Sequence, residues 1–423
     1  MESWSRPDVP VLPGQGSTPK IWCTASATLV EASADETARL YVCGITPYDA
    51  THLGHASSYL AYDTLQRVWL DAGYEVHYAQ NITDVDDPLL ERANATGVDW
   101  RELAESQVAL FRSDMQHLRI LPPEDYVAVT EVIDPIASAV EILRERGLAY
   151  PVDTPDSAAG DDLYFDVRAA ADDVWHLGAE SNLDDVTMAA FFAERGGDPD
   201  RPGKRDPMDP LLWRAARDGE PSWPSIVGEG RPGWHIECSV IALQHLGSDF
   251  TVQGGGSDLV FPHHDMSAGH AAALSGRPLA KVFSHAGMVA YEGEKMSKSL
   301  GNLVLVSKLV AAGVDPRAIR LAILDNHYRS DWEWADGRLD AAVARLAAWT
   351  AAFGPATTGD AAAAVSDAVS GSAETLLAAV RTRLADDLDT PSVLALLDAA
   401  ASTGVDDPAL VRTLIDAFLG VRL

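Results

Sequence analysis

The chain is short of several things, and each shortage removes a class of protein. Three cysteines, Cys23, Cys43 and Cys238, in 423 residues are too few for a disulfide framework and fit reduced thiols in a cytoplasmic enzyme. No apolar run is long enough to suggest a bilayer span, so no membrane partner is expected. The opening MESWSRPDVP lacks the basic-then-apolar order of a secretory signal. Positive charge is scarce: 32 Lys and Arg stand against 63 Asp and Glu, a formal net charge of −31. Gripping a polynucleotide takes a basic surface, because each neutralised phosphate contributes through counterion release. Local basic patches can survive, but the overall field repels polyanions, and no nucleic-acid partner is expected.

Two nucleotide signatures are also wanting. There is no Walker A sequence. Gly228-Glu229-Gly230-Arg231-Pro232-Gly233 spells GxGxxG, yet Pro221 and Pro224 occupy the run before it, where a dinucleotide fold requires a strand.

What is present is enough apolar residue, 47%, for large cores, and enough length for two or three domains. Residues 1–36, rich in Pro, Ser and Gly, read as an irregular surface segment. Leu40-Tyr41-Val42 reads as a buried strand, the run from Ala56 as a helix stopping at Gly73, and Glu75–Ala79 as the next strand. Strand, helix, strand implies a parallel unit with its site at the strands' carboxyl ends. Helical spacing continues over Trp100–Leu118 and Ile133–Arg146. An Asp-, Gly- and Pro-rich stretch reads as an insertion, placed at about 120–232, within a Rossmann-like domain of 37–313. Strand patterns return at Phe250–Gln253 and Val282–His285. From 314 to 423 the chain is Ala/Leu-rich with helical runs at 317–327, 337–353, 373–388 and 391–401, which predicts a C-terminal helical bundle. The fold class is α/β with an inserted subdomain and an α-helical end.

Three constellations carry chemistry. His52-Leu53-Gly54-His55 lies at the expected helix start, where imidazoles and the helix dipole can meet phosphate oxygens. Lys295-Met296-Ser297-Lys298-Ser299 can neutralise charge on a departing pyrophosphate. Either motif alone reads equally as solvated histidines or an ordinary basic loop; together, in this order, they are far more specific. Cys43, Cys238 and His263 are zinc-ligand types, although their long spacing alone favours inert buried cysteines. Gly254-Gly255-Gly256-Ser257-Asp258 follows a strand and can bring backbone close to a ligand, with a carboxylate for a ribose hydroxyl or an amine; a tight turn is the alternative. Trp234 can wall a pocket or simply pack.

Taken together, these motifs resemble class I aminoacyl-tRNA synthetases, and among them the cysteinyl enzymes. His52–His55 resembles the HIGH signature, and Lys295–Ser299 matches KMSKS letter for letter. Asn81–Asp87, Gly233–Cys238, Gly254–Leu259, Phe261–His264, His327–Ser330 and Asp386–Pro391 are similar to further cysteinyl-synthetase blocks, so the resemblance covers most of the chain. It implies a class I synthetase-type parallel sheet and ATP used with Mg²⁺. It also implies one Zn²⁺ per chain, on Cys43, Cys238 and His263, that selects the thiolate of L-cysteine. His52, His55, Lys295 and Lys298 would be catalytic. Gly44, Ile45, Thr46, Ser58, Asn81, Ile82, Thr83, Trp234, Gly256, Ser257, Asp258 and Ala290 would bind the adenylate.

Two departures matter. The family's usual fourth zinc ligand, a glutamate four residues after the first histidine, is replaced by Ser267, which leaves a position for the substrate sulfur. The chain also stops without the additional basic domain by which cysteinyl synthetases read the anticodon. Glu194-Arg195-Gly196-Gly197-Asp198-Pro199 resembles a signature of the mycothiol-pathway ligases, synthetase paralogues that join cysteine to glucosaminyl-inositol. The expected acceptor is therefore that aminosugar; the competing expectation is a cysteinyl-tRNA synthetase with a reduced C-terminus.

Overall fold

In the computed structural model, residues 1–48, 51–291, 293–295, 303–355 and 371–423 are described. The chain starts with a hairpin, β1 (Lys20–Cys23) and β2 (Thr28–Glu31), inside the stretch expected to be irregular. β3 (Thr37–Val42) enters the main sheet and leads to α1 (Leu53–Asp71) and β4 (Glu75–Ile82). Then come α2 (Asp87–Thr96), α3 (Trp100–His117), β5 (Asp125–Ala128) and α4 (Ile133–Glu145). Asp86 caps α2 at its start and left-handed Gly97 stops it.

β6 (Ala149–Val152), β7 (Asp162–Phe165), β8 (Leu211–Ala215) and β9 (Gly230–Pro232) form a separate antiparallel sheet, with α5 (Asp185–Glu194) in the connection between β7 and β8. The chain thus leaves the parallel sheet after Ala128, later than the expected boundary near 120, because β5 still pairs with β4. α6 (Trp234–Leu246), β10 (Phe250–Gly256), α7 (Asp265–Ser275) and β11 (Ala280–Ala286) complete the main sheet, whose order is β11-β10-β3-β4-β5 with every pairing parallel. Both its faces are covered, as parallel sheets require. In β3, Leu40 and Val42 join one apolar core while Tyr41, pointing the other way, joins a second. From β3 the strand order runs one way through β4 and β5 and the other way through β10. The crevice at this switch point is where open α/β sheets bind ligands.

A small sheet of β12 (Val289–Tyr291), β13 (Glu294–Lys295) and later β14 (Trp332–Trp334) follows. The remainder is helical: α8 (Val306–Ala311), α9 (Pro316–Leu324), α10 (Asp336–Phe353), α11 (Ala373–Ala385), α12 (Thr390–Thr403) and α13 (Pro408–Leu419). These helices are fastened to α1 by buried charge. Asp63, fully enclosed, accepts from Arg67 Nε at 2.8 Å, from Leu121 N–H at 2.8 Å and from Arg320 of α9. The Arg67 guanidinium continues to the Asp416 and Ala417 carbonyls, each at 3.1 Å. Both arginines hold the Asp63 carboxyl below the usual carboxylate range against the opposing effect of burial. A second knot uses Asp387, which accepts from Trp22 N–H (3.0 Å), the Tyr328 hydroxyl (2.8 Å) and Arg329 Nε (2.5 Å). The His327–Ser330 and Asp386–Pro391 blocks therefore meet each other and brace the N-terminal hairpin. Among the described residues no helix is long and apolar enough to cross a membrane.

Candidate active site

The end of β3 sets the geometry. Cys43 N–H donates to the Gly254 carbonyl at 3.2 Å, extending the pairing with β10. The next residue must be glycine. A Cβ on Gly44 would lie 1.6 Å from the Asn81 carbonyl oxygen, far inside contact distance, while Gly44 N–H donates to Asn81 Oδ1 at 2.8 Å. Asn81 also receives the Tyr41 hydroxyl (3.1 Å) and donates to Thr83 Oγ1 (3.1 Å), which donates to buried Glu237 (3.3 Å). Asn81, Ile82 and Thr83 thus form a buried support behind the β3 turn and do not line the adjoining cavity.

α1 begins directly at this cavity. His52 is its N-cap, its Nδ1 accepting from Gly54 N–H at 3.1 Å, and its ring stacks on His55 at 3.8 Å. The cavity, about 390 Å³, has Gly44, Ile45, Thr46, His52, His55 and Ser58 on the β3–α1 side and Gly256, Asp258 and Trp234 opposite. Ser257 and Ala290 do not line it; Ala290 pairs with Lys295 across β12 and β13, and its neighbours Met288 and Val289 reach the cavity instead. Lys295 opens the KMSKS run at β13, while Lys298 lies outside the described residues. Tyr48, Tyr59 and Leu303 also line the cavity, and no motif pointed to them.

Cys43, Cys238 and His263 converge from β3, α6 and the turn before α7, their ligand atoms all within 4.8 Å of one another and all buried. The sulfurs are 3.9 Å apart, and His263 Nε2 lies 3.3 Å from Cys238 Sγ. Burial pushes the Cys43 thiol up, and its hydrogen bond with Cys238 adds to this. Burial acts in the same direction on Cys238, but the Cys43 hydrogen bond and His263 overcome it and hold Cys238 well below the ordinary thiol range. Two sulfurs and one imidazole are a donor set that suits zinc with an open position. Trp234 lies over the His263 ring at 4.3 Å, so it both packs and faces the cavity. Ser267 is turned away: its hydroxyl donates to the His235 carbonyl at 3.1 Å.

Beneath Cys43 lies a layer that sequence reasoning did not single out. Gln253 Nε2 is 3.3 Å from Cys43 Sγ, and His264 Nε2 lies 3.3 Å from the same sulfur. His264 Nδ1 meets His285 Nε2 at 2.8 Å, and His285 Nδ1 meets Thr24 Oγ1 at 2.7 Å. Burial keeps both imidazoles neutral, pushing His285 down to about 3. Their only sequence signal was a histidine pair and a strand-end histidine, neither of which discloses a contact.

This crevice, with two stacked histidines at a helix start and a cysteine–histidine cluster adjoining it through Cys43, belongs to a known class. Residues 29–344 match the family described as tRNA synthetases class I (C) catalytic domain, and the chain belongs to that family. Solved structures agree on the fold. A Mycobacterium tuberculosis methionyl-tRNA synthetase in complex with methionyl-adenylate superposes with a TM-score of 0.60 at 17% identity, covering 87% of this chain and 82% of that one. An Agrobacterium radiobacter LeuRS–tRNA–LeuAMS ternary complex gives 0.56 at 12% identity, covering 92% and 84%.

Within that class the chain is more narrowly placed. It is 63% identical, over 100% of its length and 99% of the relative's, to the L-cysteine:1D-myo-inositol 2-amino-2-deoxy-alpha-D-glucopyranoside ligase of Clavibacter michiganensis. It is 58% identical end to end to the protein of the same name from Thermobispora bispora. The chain belongs to this ligase family.

Proposed function

We propose that the chain joins L-cysteine to the amine of 1D-myo-inositol 2-amino-2-deoxy-α-D-glucopyranoside (glucosaminyl-inositol), with ATP converted to AMP and pyrophosphate. The observation that carries this reading is the end-to-end identity of 63% with a ligase so named, in a chain whose cysteine–histidine cluster adjoins the crevice at the sheet's switch point through Cys43.

In the first half-reaction an oxygen of the cysteine carboxylate attacks the α-phosphorus, and the bond to the bridging oxygen breaks with its electron pair leaving on pyrophosphate. His52 and His55 at the α1 start, with Lys295 and Lys298 of the KMSKS run, stabilise charge building on the phosphates. Mg²⁺ accompanies the ATP, as in class I synthetases generally. Gly44, held flat against Asn81, lets the β3 backbone approach the adenylate, and Asp258 faces it from the end of β10. In the second half-reaction the amine nitrogen bonds to the acyl carbon, the acyl–oxygen bond breaks, and AMP leaves. The ammonium sheds one proton to become a nucleophile and the new amide nitrogen sheds another, both reaching water. A zinc ion on Cys43, Cys238 and His263 would supply a soft centre that prefers sulfur to oxygen, which distinguishes cysteine from serine. Neutral His264 and Gln253 hold Cys43 in place from behind.

The family match is to tRNA synthetases, so charging of tRNA is the competing reading. The test supplies purified protein with ATP, L-cysteine and either acceptor. Amide formation on glucosaminyl-inositol with no stable charging of tRNA is expected; cysteinyl-tRNA formation with an inert aminosugar would reverse the assignment.

A further inference from the structure

A second cavity of about 690 Å³ opens off the first, within the ~300–1,000 Å³ range of small-molecule sites. The two share Thr46, Tyr48, Trp234, Asp258 and Leu259. Trp234 among them lies over the His263 ring of the cluster at 4.3 Å, and the first cavity that they border also holds His52 and His55 on its phosphate side. The acyl carbon of a cysteinyl-adenylate lies between its own side chain and its phosphate, so this shared threshold is where that carbon belongs. A nucleophile approaching it without displacing AMP or the thiol has the second cavity as its route.

The walls suit a hydroxylated, cationic guest. Trp234 lines it half-buried, while Tyr164 and Phe192 lie in its wall nearly enclosed, with the Lys204 ammonium over their rings at 5.3 and 4.9 Å. Most of the charges are already paired, which presents donors and acceptors side by side. Arg214 grips Glu220 through two bonds of 2.8 Å, Arg201 meets Asp162 at 3.1 Å, and Asp198 is held by Lys204 at 2.9 Å and by the Tyr164 hydroxyl. Two groups are left over. Glu194, exposed at the end of α5, makes no hydrogen bond or ion pair among the described residues. Arg231 contacts Asp87 and, at 3.5 Å, Glu220, yet its Nε is buried with no hydrogen-bond partner among the described residues, and a buried donor left unpaired is costly.

Local structure aims Glu194 here. Gly196 takes φ +88°, a left-handed turn, and a Cβ on Gly197 would lie 2.4 Å from the Phe192 ring. The chain therefore folds back tightly after α5. Arg195 clasps the Asp258 and Phe261 carbonyls at 2.7 and 2.8 Å, tying this turn to the rim of the first cavity.

We propose that this second cavity is the acceptor pocket, with Glu194 accepting from the ammonium or hydroxyl groups of the aminosugar and Arg231 donating to its hydroxyl oxygens. The proposal rests on the ligase reading above and names the residues that reading leaves open. The experiment compares wild type, Glu194→Gln and Glu194→Arg in two assays: cysteine-dependent ATP–pyrophosphate exchange, and amide formation over a range of glucosaminyl-inositol concentrations. Glu194 is exposed, so both variants are expected to fold. The expected result is a KM for the aminosugar raised about tenfold or more, larger in Glu194→Arg, while the KM for cysteine in exchange moves by less than about twofold. An unchanged aminosugar KM in both variants overturns the pocket while leaving the ligase reading intact. Equal losses in both assays also overturn it, since the effect would not be specific to the acceptor. A wild type that makes no amide overturns the ligase reading itself, and the pocket with it.

Discussion

The two cavities share a threshold but are built in different ways. The first lies at the carboxyl ends of parallel strands, and its walls are backbone, glycine and two histidines at a helix start. The second lies against the antiparallel sheet and α5, and its walls are side chains in charged pairs. A site for ATP must accommodate a large negative charge that moves during reaction, so it needs backbone access and cations brought to it. A site for a polyol bearing one ammonium needs fixed donors and acceptors, which paired side chains supply, with one carboxylate left over for the positive charge.

The largest effect expected within this comparison falls on the cluster adjoining the first cavity. Cys238→Ala removes the low-lying thiolate of the cluster, and metal bound per chain should drop from about one to near zero by elemental analysis. Cysteine-dependent exchange should fall at least about a hundredfold. A variant that keeps its metal and still discriminates against serine would break the assignment of the cluster.

An intermediate effect is expected where the cavities join. Arg195→Ala releases two carbonyls that belong to the first cavity's rim and the turn before α7. Its loss should raise the KM for ATP in exchange and for the aminosugar in ligation, each by about three- to tenfold. A change confined to one substrate would show that the two sites are set independently.

The smallest effect concerns stability and contrasts paired with unpaired carboxylates. Asp114 of α3 is buried with no cationic partner among the described residues, and burial pushes its carboxyl up to about 7, opposed by the Thr51 hydroxyl. A carboxyl raised in the folded state binds protons that the unfolded chain has already lost. Its contribution is therefore present below about pH 4 and is lost as pH rises through 7. Asp114→Asn should remove that loss, making the variant more stable than wild type by about 1–2 kcal/mol at pH 8 in denaturant melts. A less stable variant at pH 8 would mean that the carboxylate has a favourable partner in the fold.

The first site was largely legible because its chemistry sits in contiguous runs. His52–His55, Cys43 and Gly254–Asp258 are strand ends and helix starts, where short-range pattern decides position. The same strand and helix periodicity disclosed β3, α1, β4, β10 and β11. What could not be read were contacts made across the sheet. Gln253 and His264 reach Cys43, and His285 reaches Thr24, because strands distant in sequence lie side by side. Asn81 and Thr83 sat in a recognisable block, yet their side chains turn inward to hold Gly44 rather than face the cavity. The hairpin at Lys20–Glu31 was hidden because four-residue strands carry too little alternation to stand out from Pro- and Gly-rich surroundings. α13 was missed after the Gly404 break, although Asp407-Pro408 is a helix-start signal.

Asp63 sits at the middle of the same helix whose tip presents His52 and His55. Through Arg67 and Arg320 it is riveted to the last helix of the chain. The terminal helices therefore act as a truss: stripping α13 away would leave two guanidinium groups without their carbonyl seats, and the tremor would travel along a rigid rod to the imidazoles at its far end. In this architecture the terminal helices keep the tip of α1 in register.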